Sequence, residues 1–272
     1  MPKKRVAVIS DPHPGHRVGL TPPEWQWQLH GTNTTTQHNK WALLQQSLWK
    51  RYKTAIDQYK PYDILLHIGD GVDGKGSKSG GTEQITSDRN EQAEMGARII
   101  LEAEAPVVRM AYGTGYHTGI NEDWENAIVD KVRIKDPHID IKIGSHEWLD
   151  VNGVIFDIKH FTGATSIPHS KGTSLSKEWL WNALWAEQGL QPRADIYIRG
   201  HVHYAFQCGE PGSWYAMTCP ALQGMGSKFG SRMCRGLVHF GIVVFDITET
   251  GAWIPHWDII KIKEQETKAE KL

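Results

Sequence analysis

The chain has 272 residues, of which 39% are hydrophobic and 22% charged, and a formal net charge of −1. That balance excludes a broad basic field for holding nucleic acid by its phosphates, so any such contact must be local. The three cysteines, Cys208, Cys219 and Cys234, form no C-x-x-C pair, which disfavours structural zinc and fits idle thiols in a reducing compartment.

The opening MPKKRVAVIS passes directly into a strand and meets Asp11-Pro12 too soon for a signal peptide. No apolar run approaches the roughly 20 residues of a spanning helix, so a cytoplasmic protein without membrane contact is expected. The strand Val6 to Ile9 runs into Ser10-Asp11-Pro12-His13. A polar connection, Pro14 to Asn39, follows; a loop of this length suits either a substrate rim or a surface loop pinned by Trp25 and Trp27. Trp41, Leu44, Leu48, Tyr52, Ile56 and Tyr59 then recur at helical spacing, and Pro61 ends that helix.

Ile64 to Ile68 reads as a buried strand that ends in the glycine-flanked Asp70, with Asp73 three residues on. Gly74 to Gly81, GKGSKSGG, reads as a solvated loop whose Lys75 and Lys78 would meet a phosphate if it closed as a flap. A helix is predicted from Ile85 to Glu104, and Pro106 opens the strand Val107 to Ala111, which runs into Gly113-Thr114-Gly115-Tyr116-His117. Asn121-Glu122-Asp123 caps a further helix carrying Trp124, Ile128 and Val129.

The second half is richer in strands. Ile139 to Ile143, Trp148 to Val151 and Val154 to Ile158 are short, and Asn152-Gly153 predicts a hairpin between the last two. Val154 to Ile158 leads to His160, and Ile196 to Ile198 leads through Arg199 to Gly200-His201-Val202-His203. Between them Ser176 to Gln188 is predicted helical, with Trp181 and Trp185 on one face expected in the core. Trp214 to Thr218, Leu237 to Ile247 and Ala252 to Ile262 are predicted to form a second sheet, giving two stacked sheets with helices outside. No linker divides the chain, so one domain over 1–263 with a fraying charged tail, 264–272, is expected.

Five strands thus end in residues that bind metals or move protons, and in an α/β sheet such ends converge on one crevice. Asp and His without cysteine suit manganese, iron, zinc or magnesium. Asp11, His13, Asp70, His160, His201 and His203 are the candidate ligands, with Asp70 as a bridge between two ions that would activate water and neutralise phosphoryl charge. Histidine also suits a proton donor near neutral pH, and a neighbouring carboxylate would favour its charged form.

In the order D-x-H (Asp11, His13), G-D-x-x-D (Gly69 to Asp73), a glycine-led histidine (Gly115, His117), a lone histidine (His160) and G-H-x-H (Gly200 to His203), the chain resembles the calcineurin-like metallophosphoesterases. Its overall look is similar to their small, single-domain bacterial and phage members. The resemblance implies an α/β fold, a four-layer α-β-β-α sandwich of two mixed sheets. It implies two divalent ions, manganese foremost with iron, zinc, nickel or magnesium as alternatives. Asp11, His13, Asp70 and His203 would hold one, and Asp70, His160 and His201 the other. By the same resemblance a metal-bridging hydroxide would attack phosphorus in line while His117, oriented by Asp73, protonates the leaving oxygen.

Two departures shape the expectation. Tyr116 stands where the family places an asparagine ligand, so the second ion would be weaker, would take water, or would recruit Thr114 or Asn121. Gly74 stands where the protein phosphatases have an arginine that grips a monoester. A phosphodiester or nucleotide substrate, nucleic acid included, is therefore expected over a phosphoprotein. Tyr116, Lys228 and Arg232 are the candidate substrate contacts. The alternatives are a phosphomonoesterase or nucleotidase on the same fold, and a binding module that keeps the cluster without turnover.

Overall fold

The computed structural model describes residues 3–119, 121, 123–165, 167–226, 237–265 and 269–270. The first strand, β1 (Lys4–Ile9), is apolar on both faces. Val6 and Val8 point to one core and Ala7 and Ile9 to another, as a strand with layers on both sides requires. In chain order follow α1 (Gln37–Gln58), β2 (Ile64–Ile68), α2 (Arg89–Leu101), β3 (Val107–Ala111), the short α3 (Gly115–Thr118) and α4 (Asp123–Lys135). Then come β4 (Asp140–Gly144), β5 (Glu147–Val151), β6 (Val154–Lys159), α5 (Lys171–Glu187), β7 (Ile196–Arg199), β8 (Phe206–Glu210), β9 (Trp214–Thr218), β10 (Phe240–Ile247) and β11 (Trp253–Ile260).

The strands form two mixed sheets, ordered β11-β10-β1-β2-β3-β4 and β5-β6-β7-β9-β8. In the first, β1 to β4 are parallel neighbours and β10 runs antiparallel to β1. In the second, β6, β7 and β9 are parallel. Between the sheets lies a core of Val6, Val8, Leu66, Ile68, Val243 and Phe245 facing Phe156, Ile158, Ile196, Ile198 and Met217, with the Phe156 and Phe245 rings edge to face at 5.4 Å. Residues of α1, α2 and α4 cover the other face of the first sheet, and Leu175 and Trp179 of α5 cover the second. The result is the four-layer α-β-β-α sandwich. No described helix is long and apolar enough to cross a membrane.

Several expectations change. Trp214 to Thr218 lies in the second sheet as expected, but the two strands after it lie in the first. There β10 is a central strand, held to β1 by the register Lys4↔Ile247 and by Arg5 Nε 2.7 Å from Asp246 Oδ1. Trp181 and Trp185 are 58% and 47% exposed rather than core. The rotation of α5 is set by polar anchors on its other face. Asn182 accepts from Ala194 N and Tyr197 OH at 3.0 and 2.9 Å and donates to Pro192 O. Glu178 lies 2.9 Å from the buried Arg199 guanidinium, which also binds Asp157.

The Gly74 to Gly81 segment, expected as a solvated loop, is fastened at one point, since Lys78 N–H donates to Tyr116 OH at 2.8 Å. The start of the tail is likewise docked, with Glu264 accepting from Ser47 Oγ at 2.7 Å. The Asn152-Gly153 hairpin is as predicted, with both residues at positive φ.

Removing the aromatic centre between the sheets, Phe156→Ala, should lower the stability of the metal-free protein by about 3–5 kcal/mol in urea unfolding. A loss below about 1 kcal/mol would mean the two sheets do not share this core.

Candidate metal centre

The C-terminal ends of β1, β2 and β3 meet those of β6 and β7 at one edge of the sandwich, and main-chain contacts lock them together. His160 Nδ1 donates to Ile68 O at 2.6 Å, and His201 N–H donates to the Asp11 carboxylate at 3.1 Å. Ser10 Oγ lies 3.0 Å from Ile68 O and against the Asp11 carboxylate. Two motif glycines permit this approach. A Cβ on Gly69, at φ +76, would lie 2.5 Å from His160 Nδ1, and one on Gly200 would lie 2.7 Å from Ile68 O.

Backbone strain marks the same place. Seven non-glycine residues among those described have positive φ, and five are Asp11, His13, Asp70, His201 and His203. Such conformations persist where surrounding structure over-determines them and gather at functional sites. After β1, β2 and β7 the chain passes through left-handed kinks that turn a carboxylate or imidazole into the crevice.

Among the described residues three groups of side chains stand close enough to hold a metal ion; two of them carry the expected ligands, and the third, His13, Asp73 and His117, adjoins them. In the first, His203 Nε2 lies 3.2 Å from both Asp11 Oδ1 and His13 Nε2. In the second, Asp70 Oδ2 lies 3.2 Å from His160 Nε2, and His201 completes the group. Asp70 Oδ2 is also 3.6 Å from His13 Nε2, between the sets, where a bridging ligand would stand. Asp11, His13, Asp70 and His160 are all buried.

The donors fit divalent metal. Imidazole ligands present one nitrogen inward while the other is held by an outer partner. His13 Nδ1 lies 3.1 Å from Asp73 Oδ1, and His160 Nδ1 is occupied by Ile68 O, so both Nε2 atoms face the cluster. His160 Nε2 is close to Asp70 yet has no hydrogen-bond geometry with any partner. A buried polar atom in that state calls for a ligand. Neutral imidazole and carboxylate together suit first-row ions.

Burial opposes charge throughout, and close pairing overrides it selectively. Burial raises Asp11, Asp70 and Asp73, but His203 and His160 around Asp11, His160 beside Asp70, and His117 and His13 on Asp73 hold all three well below the usual carboxylate range. Burial lowers His160 and His117, but Asp70 and Asp11 lift the former to about 10, and Asp73 with Asp70 lifts the latter to about 9. His13 and His201 remain below the ordinary value, because burial and a neighbouring imidazolium act together.

His117 stands outside both sets, at the mouth on α3. Its Nδ1 lies 2.9 Å from the Asp73 main-chain O and 3.3 Å from Asp73 Oδ1. Asp73 therefore touches His13 as well as His117, and its other oxygen takes Gln84 Nε2. Thr114, rather than Asn121, reaches Asp70, donating its N–H to Oδ1 at 2.7 Å. Tyr116 is 40% exposed, edge-on to His117. Lys228 and Arg232 lie outside the described residues.

Sequence reasoning missed two supports and one flank. Glu125 of α4 accepts from Gly71 N and Gly113 N at 2.7 and 2.8 Å, joining the loops after β2 and β3, and burial pushes its carboxyl up to about 7. Gln92 of α2 accepts from Gly74 N at 2.8 Å and donates to Gly74 O at 2.8 Å. The available signal was a lone polar residue on each helix's apolar face. Phe161, 58% exposed and 5.0 Å from the His201 ring, flanks the cluster at that histidine. A separate cavity of about 560 Å³, lined by Asp195, Trp214, Tyr215 and Trp253, contains none of these residues.

A scan against protein-family models matches none, and a search of curated proteins also finds no match. Among solved structures, a dimetal phosphatase from Danio rerio overlaps with TM-score 0.44 at 10% identity, covering 92% of this chain and 94% of its own. Vps29 from Chaetomium thermophilum gives 0.41 at 8%, covering 94% and 97%. The Thermotoga maritima protein TM1076 gives 0.34 at 13%, covering 95% and 99%. At scores and identities this low the overlap carries no argument about family or activity.

Asp70→Asn should lose metal from both sets, whereas His117→Ala should keep nearly full metal content, as read by elemental analysis after manganese loading. Equal loss from both variants would place His117 among the ligands. Because His160 holds its proton to about pH 10 in the metal-free cluster, metal uptake at neutral pH should release protons, measurable by calorimetry in buffers of different ionisation enthalpy.

Proposed function

We propose that the chain is a metal-dependent hydrolase of phosphoester bonds, acting on phosphodiesters of the nucleotide or nucleic-acid class. The observation that carries the reading is that the Asp11-His13-His203 and Asp70-His160-His201 sets lie side by side, with Asp70 Oδ2 3.6 Å from His13 Nε2, and that a further histidine, His117, stands beside them against its own carboxylate. A pure metal store has no use for that outer pair. Free thiols at Cys208 and Cys219 agree with a reducing, cytoplasmic setting, which is part of the proposal.

Asp11, His13, Asp70 and His203 would hold one divalent cation, and Asp70, His160 and His201 the second, with manganese our choice among ions that accept such donors. Bound there, the pair would neutralise phosphoryl charge and lower the pKa of water. The chain supplies the rest. Asp73 fixes His117 through Nδ1, leaving Nε2 to carry the proton for a leaving oxygen. The same carboxylate keeps that imidazole protonated at neutral pH, as a general acid requires. Phe161 beside His201 offers an exposed ring at the cluster, and Tyr116 beside His117, with Lys78 Nζ over its ring, offers a second edge, which suits a diester with groups beyond the phosphorus. Gly74, where a monoester-gripping arginine would stand, supports the same preference.

The test compares metal-stripped and manganese-loaded protein on bis-p-nitrophenyl phosphate and p-nitrophenyl phosphate. Turnover should depend on metal and favour the diester. No turnover on either, with the fold intact, would leave a binding module. On a diester with a poor leaving group, His117→Ala should slow turnover by roughly 10²–10⁴-fold. The acid form of His117 is the active one, so kcat/KM should fall as pH rises through its pKa. That limb should lie at or below about 9, the metal-free value, because bound cations disfavour a nearby imidazolium. His117→Ala should flatten it.

A further inference from the structure

The inner face of α5 is fixed to the second sheet by Leu175, Glu178, Trp179 and Asn182. That leaves its outer face to carry Leu180, Trp181, Leu184 and Trp185, each about half exposed at 47%, 58%, 48% and 47%. At about 100° per residue these four fall within a band roughly 140° wide. Single exposed apolar residues are ordinary. Two leucines and two tryptophans side by side on one helix are not, and contiguous patches of this kind mark interaction sites. Tryptophan is also the side chain most enriched where binding energy concentrates.

We infer that this outward stripe of α5 is where two copies of the chain meet, as an antiparallel pair of helices about a two-fold axis. The argument is self-complementarity. In a two-fold contact, residue i meets residue j and j meets i. Lys177 precedes Leu180 by three positions and Glu187 follows Leu184 by three, and both charged residues are exposed. Two α5 helices crossing at the level of Asn182 set Leu180 on Leu184 and Lys177 beside Glu187, and symmetry repeats each contact. A net charge of −1 gives two copies almost no mutual repulsion. A membrane-surface helix would instead carry a polar face rich in lysine and arginine, whereas the exposed residues of this helix include one cation, Lys177. A standard interface buries about 800 Å² per partner; the four apolar side chains make its centre and the polar residues around them its rim. No residue of the metal centre takes part, so this inference stands apart from the enzymatic one.

Sedimentation velocity of the full chain over a wide concentration range should show a monomer–dimer equilibrium. Trp181→Ala and Trp185→Ala should each weaken it by roughly 30-fold or more, with metal content unchanged, and the urea midpoint unchanged at a concentration where the wild type is monomeric, as evidence of intact folding. Lys177→Glu alone and Glu187→Lys alone should each weaken it by roughly tenfold, since each reversal acts twice in the pair. The double reversal should recover most of the loss. A wild-type chain that stays monomeric at the highest concentration would overturn the inference. So would a dimer insensitive to both tryptophan variants, or a double reversal no better than the singles. A monomer that floats with phosphatidylcholine–phosphatidylserine vesicles would assign the stripe to a membrane and equally overturn it.

Discussion

Two buried carboxylates in reach of the same imidazoles are the constraint on which this structure turns. His13 Nε2 lies 3.9 Å from Asp11 and 3.6 Å from Asp70, and His160 Nε2 lies 4.0 and 3.2 Å from the same pair. Charges withdrawn from water in this way are tolerated only if opposite charge is placed beside them. Here the histidines supply it, which is why His160 binds its proton so tightly. The same positions can be served by cations. A cluster that keeps its carboxylates ionised at the cost of protonating its own imidazoles is arranged for positive charge, and the identity of that charge is a matter of what is available.

Holding the arrangement costs conformational energy. Left-handed backbone at a residue with a side chain costs on the order of 1 kcal/mol or more, and Asp11, His13, Asp70, His201 and His203 all adopt it. Together they represent a sizeable part of the roughly 5–15 kcal/mol by which a domain is stable. Strain of that size survives because the residues before each kink belong to strands packed on both faces. Val6 to Ile9, Leu65 to Ile68 and Ile196 to Ile198 are nearly without solvent contact. The rigid layers and the strained rim are therefore one design, since flexible strand ends would relax the kinks and scatter the donors.

Much of this was legible in the sequence because it is local. An apolar run followed by glycine and a ligand residue writes the strand, the turn and the donor into a few consecutive positions, as at Ile64 to Asp70. Asn152-Gly153 likewise encodes its own turn. What could not be read was pairing between distant segments. The apolar run around Val243 packs on both faces, and nothing in its pattern says whether it neighbours β1 or β9. That choice is made by the β1 register and by Arg5 meeting Asp246, 241 positions away. Tyr116 was legible as a departure from a motif but not as the group that fastens the glycine-rich loop, because its partner is the main chain of Lys78.

The helices make the same point in a different way. Spacing of apolar residues sets how well a helix can bury a face, but one polar residue in α2 and in α4, and two in α5, decide which face. Gln92 and Glu125 turn inward because the main-chain N–H groups of the site loops have no other acceptor within the packed layers, and an unmade hydrogen bond there costs about 1–3 kcal/mol. Asn182 and Glu178 turn inward because Ala194, Tyr197 and the buried Arg199 need them. On α5 the polar demand and the apolar stripe lie on opposite sides, and the polar demand wins. An unpaired buried guanidinium would cost more than two half-exposed tryptophans, whose apolar surface can still be covered by something outside the chain. The feature that most misled the hydrophobic pattern is thus a direct consequence of satisfying the buried charges next to G-H-x-H.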